Sequence, residues 1–166
     1  MFRTIQDFLD SWAYETEATV KVFQELTDDS LSTKVHPDVR TLGRLAWHIV
    51  QTLPEMGGET GLSIQGPGGE DPIPATAQEI TRHLQETSES LADAVKSEWS
   101  DDDLTVEDEM YGERWPRGKT LAAILRHQIH HRGQMTVLMR QVGLKVPGVY
   151  GPAREEWAEY GMPAQE

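Results

Sequence analysis

The residues best suited to chemistry lie in one short stretch, His-Gln-Ile-His-His-Arg-Gly-Gln, from His127 to Gln134. The stretch lies inside an apolar-periodic run, residues 121–142, whose spacing predicts a helix. His127 and His131 are one helical turn apart, so their Cβ atoms would lie about 5 to 6 Å from each other. The same periodicity places both imidazoles on the arc that faces the core. Two inward imidazoles at this spacing predict a shared metal ion.

A third histidine, His48, lies at the edge of an apolar stripe on a second predicted helix. The stripe consists of Leu42, Leu45, Ile49 and Leu53. Three protein ligands with one position left open are typical of catalytic metal sites rather than structural ones. The alternative is three core histidines that each bond to protein groups. We favour the metal, because each unpaired buried polar ring costs about 1–3 kcal/mol and one ion satisfies all three.

Three residues next to these histidines in sequence are weaker candidates for the metal site. His130 points to the side of the helix, so we predict a boundary or surface position. Gln134 adjoins both ligand histidines in angle and is expected to hydrogen-bond one of them. Arg132 is expected to be semi-buried, either paired with a carboxylate or lining the cavity to hold an anion.

Two further residues are candidates for a fourth ligand. Glu55 would lie two turns from His48 if its helix continued past Pro54, although a surface position is favoured because Glu is rarely buried. His83 flanks the apolar stripe of a third helix. Either side chain in the fourth position would close the site.

The chain resembles the DinB/YfiT-like family of metalloenzymes. The resemblance rests on Leu-Ala-Trp-His48, on His127-xxx-His131-Arg-Gly-Gln134 and on the later Leu-Lys-Val-Pro-Gly-Val-Tyr-Gly-Pro segment, and it covers the chain in order and length. It implies an all-α four-helix bundle of up-down-down-up type with a divalent metal held by three histidines. In characterised members it implies transfer of a low-molecular-weight thiol. The family commonly forms homodimers, and Trp47, expected to be exposed, would suit such an interface.

Composition limits the partners and the chemistry. The net charge of −13 and the pI of about 4.8 argue against nucleic acid, whose phosphates require a basic surface. There is no cysteine, so any thiol must be a cosubstrate. The chain lacks a signal-like apolar segment and any run of about 18 apolar residues, so we predict a cytoplasmic protein without membrane contact. Residues 1–166 are expected to form one domain.

Four helices are predicted to position the histidines. The first runs from Phe2 to about Leu26, the second from Asp38 or Thr41 to about Leu53, the third from the capping box at Thr76 to about Trp99, and the fourth from Thr120 to Val142. The core seam of the first helix is predicted to contain Phe2, Ile5, Leu9, Trp12, Thr16, Val20 and Phe23. A Gly/Pro-rich crossover over 57–74 is too long for antiparallel neighbours. A short C-terminal helix over 153–160 is expected to close the fold.

The leading functional hypothesis, which the resemblance mainly supports, is a metal-dependent transferase that places a small thiol on an electrophilic small molecule. One alternative is a metal-dependent hydrolase in which metal-bound hydroxide is the nucleophile. Another is a non-catalytic stress protein that binds a metal or a small molecule. Nitrogen ligands favour zinc or nickel, with iron, manganese and copper as further candidates.

Overall fold

The computed structural model describes residues 2–164, and most of them are helical. The helices are α1 (Ile5–Gln24), α2 (Leu42–Gly58), α3 (Ala77–Glu98) and α4 (Arg117–Gln141). An antiparallel hairpin of β1 (Glu107–Met110) and β2 (Glu113–Pro116) precedes α4, and short 3₁₀ segments span Asp28–Ser32, Asp101–Thr105 and Arg154–Tyr160. The all-α prediction is confirmed, with the small hairpin as an addition. Within the described residues, no helix is both long and apolar enough to cross a membrane.

Threonines cap the first three helices. Thr4, Thr41 and Thr76 each accept a hydrogen bond from a backbone N–H three residues later, at 3.0, 3.1 and 3.2 Å. Such a cap satisfies one of the free amides of the first turn and is worth about 1 kcal/mol. The capping box predicted at Thr76 is half formed: the Thr76 hydroxyl accepts from the Glu79 N–H, whereas the Glu79 carboxylate accepts from the Thr76 hydroxyl and not from its backbone N–H. The first helix therefore begins at Ile5, not at Phe2.

The predicted end of α2 at Leu53 is wrong, because the helix passes through Pro54 and ends at Gly58. A proline inside a helix costs about 3 kcal/mol, mainly through a lost backbone hydrogen bond and a steric clash. Leu53 and Met56, on either side of the proline, are both buried in the core. Their burial offsets that cost.

Two hydrophobic clusters, one at each end of the bundle, give the direction of every helix. The first cluster takes residues from the end of α1, the starts of α2 and α3 and the end of α4. The second takes them from the start of α1, the ends of α2 and α3 and the start of α4. The order is therefore up-down-down-up. Parallel α2 and α3 are packed neighbours, so the chain between them must return along the bundle, which explains the crossover over 59–76.

The crossover covers Trp47, contrary to the predicted exposure of this side chain. Trp47 is 2% exposed, and its indole N–H donates to the Asp71 carbonyl oxygen at 3.1 Å. Gln51, one turn later, donates to the Gly68 carbonyl oxygen at 2.6 Å. Trp47 thus packs under the chain's own loop. The homodimer stays a prediction, without Trp47 as support.

The buried face of α1 is rotated about the helix axis relative to the predicted core seam. The buried residues of this helix are Phe8, Trp12, Glu15, Ala18, Thr19, Val22 and Phe23. Leu9, Thr16 and Val20, which we predicted in the core, are only half-buried. A core stripe predicted from apolar residues alone omits Glu15, because the burial of this carboxylate depends on a partner in α4.

Candidate metal centre

The structure brings His48, His127 and His131 together between the two hydrophobic clusters. His48 comes from α2 and the other two from α4, which packs beside it. The Nε2 atom of His127 lies 3.2 Å from that of His48 and 3.1 Å from that of His131. One nitrogen from each ring lies within 4.8 Å of the others, so the three side chains could hold one metal ion.

Hydrogen bonds on the far side of two rings fix which nitrogen carries the proton. His131 Nδ1 lies 2.7 Å from Gln134 Oε1, an oxygen that can only accept, so the proton is on Nδ1. His127 Nδ1 lies 3.3 Å from the Thr52 hydroxyl, which itself donates to the His48 carbonyl oxygen at 2.9 Å. Nδ1 of His127 is therefore also the donor. Both Nε2 atoms present lone pairs to the centre.

This donor set fits a transition-metal ion. Two lone pairs facing each other at 3.1 Å repel unless a cation or a proton lies between them. Nitrogens that each lie about 2.0–2.1 Å from one tetrahedral ion are about 3.3 Å apart, close to the observed spacings. The orientation of the rings through Nδ1 is the arrangement that metal-binding histidines usually have. These two spacings, and the protonation of the two rings from α4, therefore match a metal centre of histidine nitrogens.

The electrostatics keep these rings neutral. Burial is the main cause that lowers the pKa of His48 to about 3, and the positive charge of Arg40 adds to it. Burial likewise lowers the pKa of His127 to about 4 and that of His131 below its usual value. At neutral pH the imidazoles are uncharged and ready to bind a cation without losing a proton.

An open groove of about 440 Å³ leads to the site, with His131 in its wall. The wall is mainly apolar and is formed by the loop before α2 together with the outer face of α4. Its lining residues are Val35, Val39, Arg40, Leu45, His131, Gln134, Val137 and Leu138. A concave, mostly apolar space with a few polar groups is typical of a small-molecule site.

Neither His83 nor Glu55 reaches this cluster, whereas the ring of His130 packs edge-on against that of His131, with centroids 5.0 Å apart. His83 packs edge-on against Trp47, with ring centroids 5.2 Å apart. Glu55 stays on α2 beyond Pro54 but is exposed and accepts a hydrogen bond from Tyr111 at 3.3 Å. His130 is exposed, as predicted, and contacts the Gln134 amide at 3.1 Å. Neither proposed fourth ligand joins the three histidines.

Arg132 does not contact the histidines, because its side chain points toward α1. It forms an ion pair with Glu15, 2.7 Å between Nη2 and Oε2, and the two side chains are 3% and 9% exposed. Arg132 also donates to the Glu15 carbonyl oxygen, to Thr19 and to Tyr150. Of the two roles we predicted, pairing with a carboxylate is the one observed. The Tyr150 hydroxyl donates to the Glu15 carboxylate at 2.8 Å and so joins this pair.

The sequence did not predict three residues: Thr52 and Arg40, which lie at the histidine cluster and its groove, and Glu15, which pairs with Arg132. Thr52 stands four positions after His48, a spacing that places it one turn further on the same face and could have identified it. Arg40 lies in a loop, where no periodicity predicts its position. Glu15 interrupts an apolar stripe, and only a partner distant in sequence explains its burial.

Comparisons with known proteins agree with this architecture. A sequence model described as the DinB family matches residues 1–166. The uncharacterized protein YrdA of Bacillus subtilis (strain 168) is 44% identical over 164 residues, which are 99% of this chain and 98% of that protein.

Two crystal structures of DinB-like proteins share the fold. One, from Bacillus cereus ATCC 10987, is 47% identical, with a TM-score of 0.87 over 90% of this chain and 100% of that chain. The other, YjoA from Bacillus subtilis, is 15% identical, with a TM-score of 0.69 over 86% of this chain and 96% of that one, and it bears on the fold alone. With the family matched over its whole length and a relative this similar, the chain belongs to the DinB family.

Proposed function

We propose that this protein is a metal-dependent transferase that joins a low-molecular-weight thiol to an electrophilic small molecule. The observation that carries the proposal is the convergence of three neutral histidine nitrogens beside an open apolar groove. Three protein ligands leave room for an exchangeable ligand on the metal. The sulfur must come from a cosubstrate, since the chain has no cysteine.

In this proposal the three histidines hold the metal. Thr52 accepts a hydrogen bond from Nδ1 of His127, and Gln134 accepts one from Nδ1 of His131, so that the proton of each ring stays on Nδ1. When bound there, a divalent transition metal would act as a Lewis acid that lowers the pKa of a coordinated thiol. Zinc and nickel suit the three nitrogen ligands best. The apolar wall of the groove would receive the electrophile and limit its contact with water.

The overall reaction is a substitution at carbon. A bond forms between the thiol sulfur and the electrophilic carbon, and the bond between that carbon and its leaving group breaks. The leaving group departs with the electron pair, and the thiol proton passes to solvent. No oxidant or reductant is required.

The first test is elemental analysis of the purified protein beside a His48→Ala/His127→Ala/His131→Ala variant. We expect about one transition-metal ion per chain in the natural protein and none in the variant. His36→Ala is the matched control, because His36 is 63% exposed in a loop and contacts only Asp38. If the natural protein stays metal-free after incubation with zinc and nickel, the proposal is wrong.

The second test is turnover. Consumption of cysteine, glutathione or coenzyme A is followed with 1-chloro-2,4-dinitrobenzene as the electrophile, in the natural protein and in His131→Ala. Thiol-dependent turnover that is lost in His131→Ala would support the transferase. Turnover of ester or amide substrates without any thiol would instead identify a hydrolase.

A further inference from the structure

One residue at the groove has a charge that nothing in the described chain neutralises. Arg40 lines the groove together with His131, and within residues 2–164 its guanidinium has neither an ion pair nor a hydrogen bond. Within the same residues Arg126 and Arg154 also have no such partner, but neither of them lines this groove. The charge of Arg40 is also close enough to lower the pKa of all three site histidines. An anion at this position would meet a cation that has no competing partner.

Most of the groove wall is apolar, and three of its valines are exposed. Val35, Val39 and Val137 are 52%, 43% and 58% exposed, and they line the same groove. Valines that cluster around a concavity mark a binding surface more often than valines scattered singly. Leu138 lies nearly two helical turns beyond His131 on α4, so the apolar part extends along α4 away from the histidines.

We infer that this groove binds an organic anion with an apolar body: a carboxylate paired with Arg40 at the histidine end and a hydrocarbon part lying against Val35, Val39 and Val137. The planar guanidinium fork matches a carboxylate in geometry. The inference rests on the proposed function for the reaction such a molecule would undergo, whereas its binding to the groove does not require the metal. The substrate class is thus a carboxylate-bearing, otherwise apolar small molecule.

The test uses hexanoate, with hexanol, hexylamine and acetate as matched probes. Each is titrated into metal-free protein carrying ¹³C-labelled valine and leucine methyl groups, and NMR reports both the position and the strength of binding. We expect hexanoate to shift the methyl signals of Val35, Val39 and Val137. Hexanol should bind about two- to fivefold more weakly and hexylamine more weakly still, since an accessible ion pair contributes about that much. Acetate should bind at least about tenfold more weakly, because it lacks four methylene groups.

Variants separate the charge from the apolar wall. Arg40→Gln should reduce hexanoate affinity to the level of hexanol, and Arg40→Lys should keep part of the difference. Val137→Asp should weaken hexanoate binding by placing a like charge in the groove. Arg3→Gln is the control for loss of one positive charge, because Arg3 is 90% exposed at the start of α1, at the opposite end of the bundle. Equal affinity in Arg40→Gln and the natural protein, or shifts confined to other methyl groups, would overturn the inference.

The same samples are then analysed for zinc and nickel binding, so that the two proposals fail separately. Arg40-dependent hexanoate binding in a protein that takes up neither zinc nor nickel would uphold the groove and disprove the metal-dependent transferase. Uptake of either metal without Arg40-dependent binding would overturn the inference about the groove and leave the transferase standing.

Discussion

Removing one partner of the buried ion pair between Arg132 and Glu15 should strongly destabilise the packing of α4 against α1. Arg132→Met leaves the Glu15 carboxylate buried without its cation, and Glu15→Leu leaves the guanidinium without its anion. The side chains are only 3% and 9% exposed, so water cannot replace the missing partner. Breaking such a pair from one side costs about 3–5 kcal/mol.

The double variant should behave differently. When both charges are replaced by apolar groups, no buried charge remains, so we expect Glu15→Leu/Arg132→Met to recover most of the loss. The matched control is Arg140→Met, the same substitution on the same helix, where Arg140 pairs with Glu155 and the side chains are 40% and 45% exposed. An exposed pair of this kind contributes about 0–1 kcal/mol.

Urea and thermal denaturation of the metal-free proteins measure these differences. For a chain of this length, about 3–5 kcal/mol corresponds to a fall in Tm of about 6–20 °C. Below that temperature Arg132→Met should still bind metal, since Arg132 contacts none of the three histidines. A loss below about 1 kcal/mol in both single variants, or a double variant as unstable as the sum of the two, would refute the reasoning.

Three further predictions concern the site and its helix. In the metal-free protein, the free energy of unfolding should fall as the pH drops from about 6.5 toward 5. Over this range His48 and His127 take up protons in the unfolded chain but stay neutral in the folded one, where their pKa values are about 3 and 4. Both rings are partly screened by solvent, so we expect about 1–3 kcal/mol over this range in urea melts, and a triple His→Ala variant should abolish most of it. Gln134→Ala should weaken metal binding by about 10- to 100-fold, because His131 loses the hydrogen-bond acceptor of its Nδ1. Competition with a chromophoric chelator measures this affinity, and the control Gln141→Ala, at the exposed end of α4, should leave the affinity unchanged. Gly133→Ala should stabilise the chain by about 0.5–1 kcal/mol, because a Cβ there meets no atom within 4 Å. A loss of stability instead, or a change from dimer to monomer in light scattering, would mean that a second subunit approaches Gly133.

Local patterns predicted much of the fold and the residues of the candidate site. The i, i+4 spacing of His127 and His131 fixes their common face whatever surrounds the helix, and His48 follows from the same periodicity. The helix start at Thr76 and the Gly/Pro-rich crossover likewise depend on residues close in sequence. For this reason the helix count and the long connection were predictable.

Other features depend on segments that meet only in the folded chain. Trp47 is buried because a loop more than twenty residues later covers it, and Glu15 is buried because Arg132 neutralises it across the bundle. Pro54 remains helical because its neighbours pack into the core. Arg40 shares a groove with His131 because the loop before α2 and the helix α4 both line it. Side-chain chemistry and helical period, which are both readable along the chain, identify the residues that could bind a metal. What surrounds that site depends on contacts between distant segments, and these form only when the chain folds.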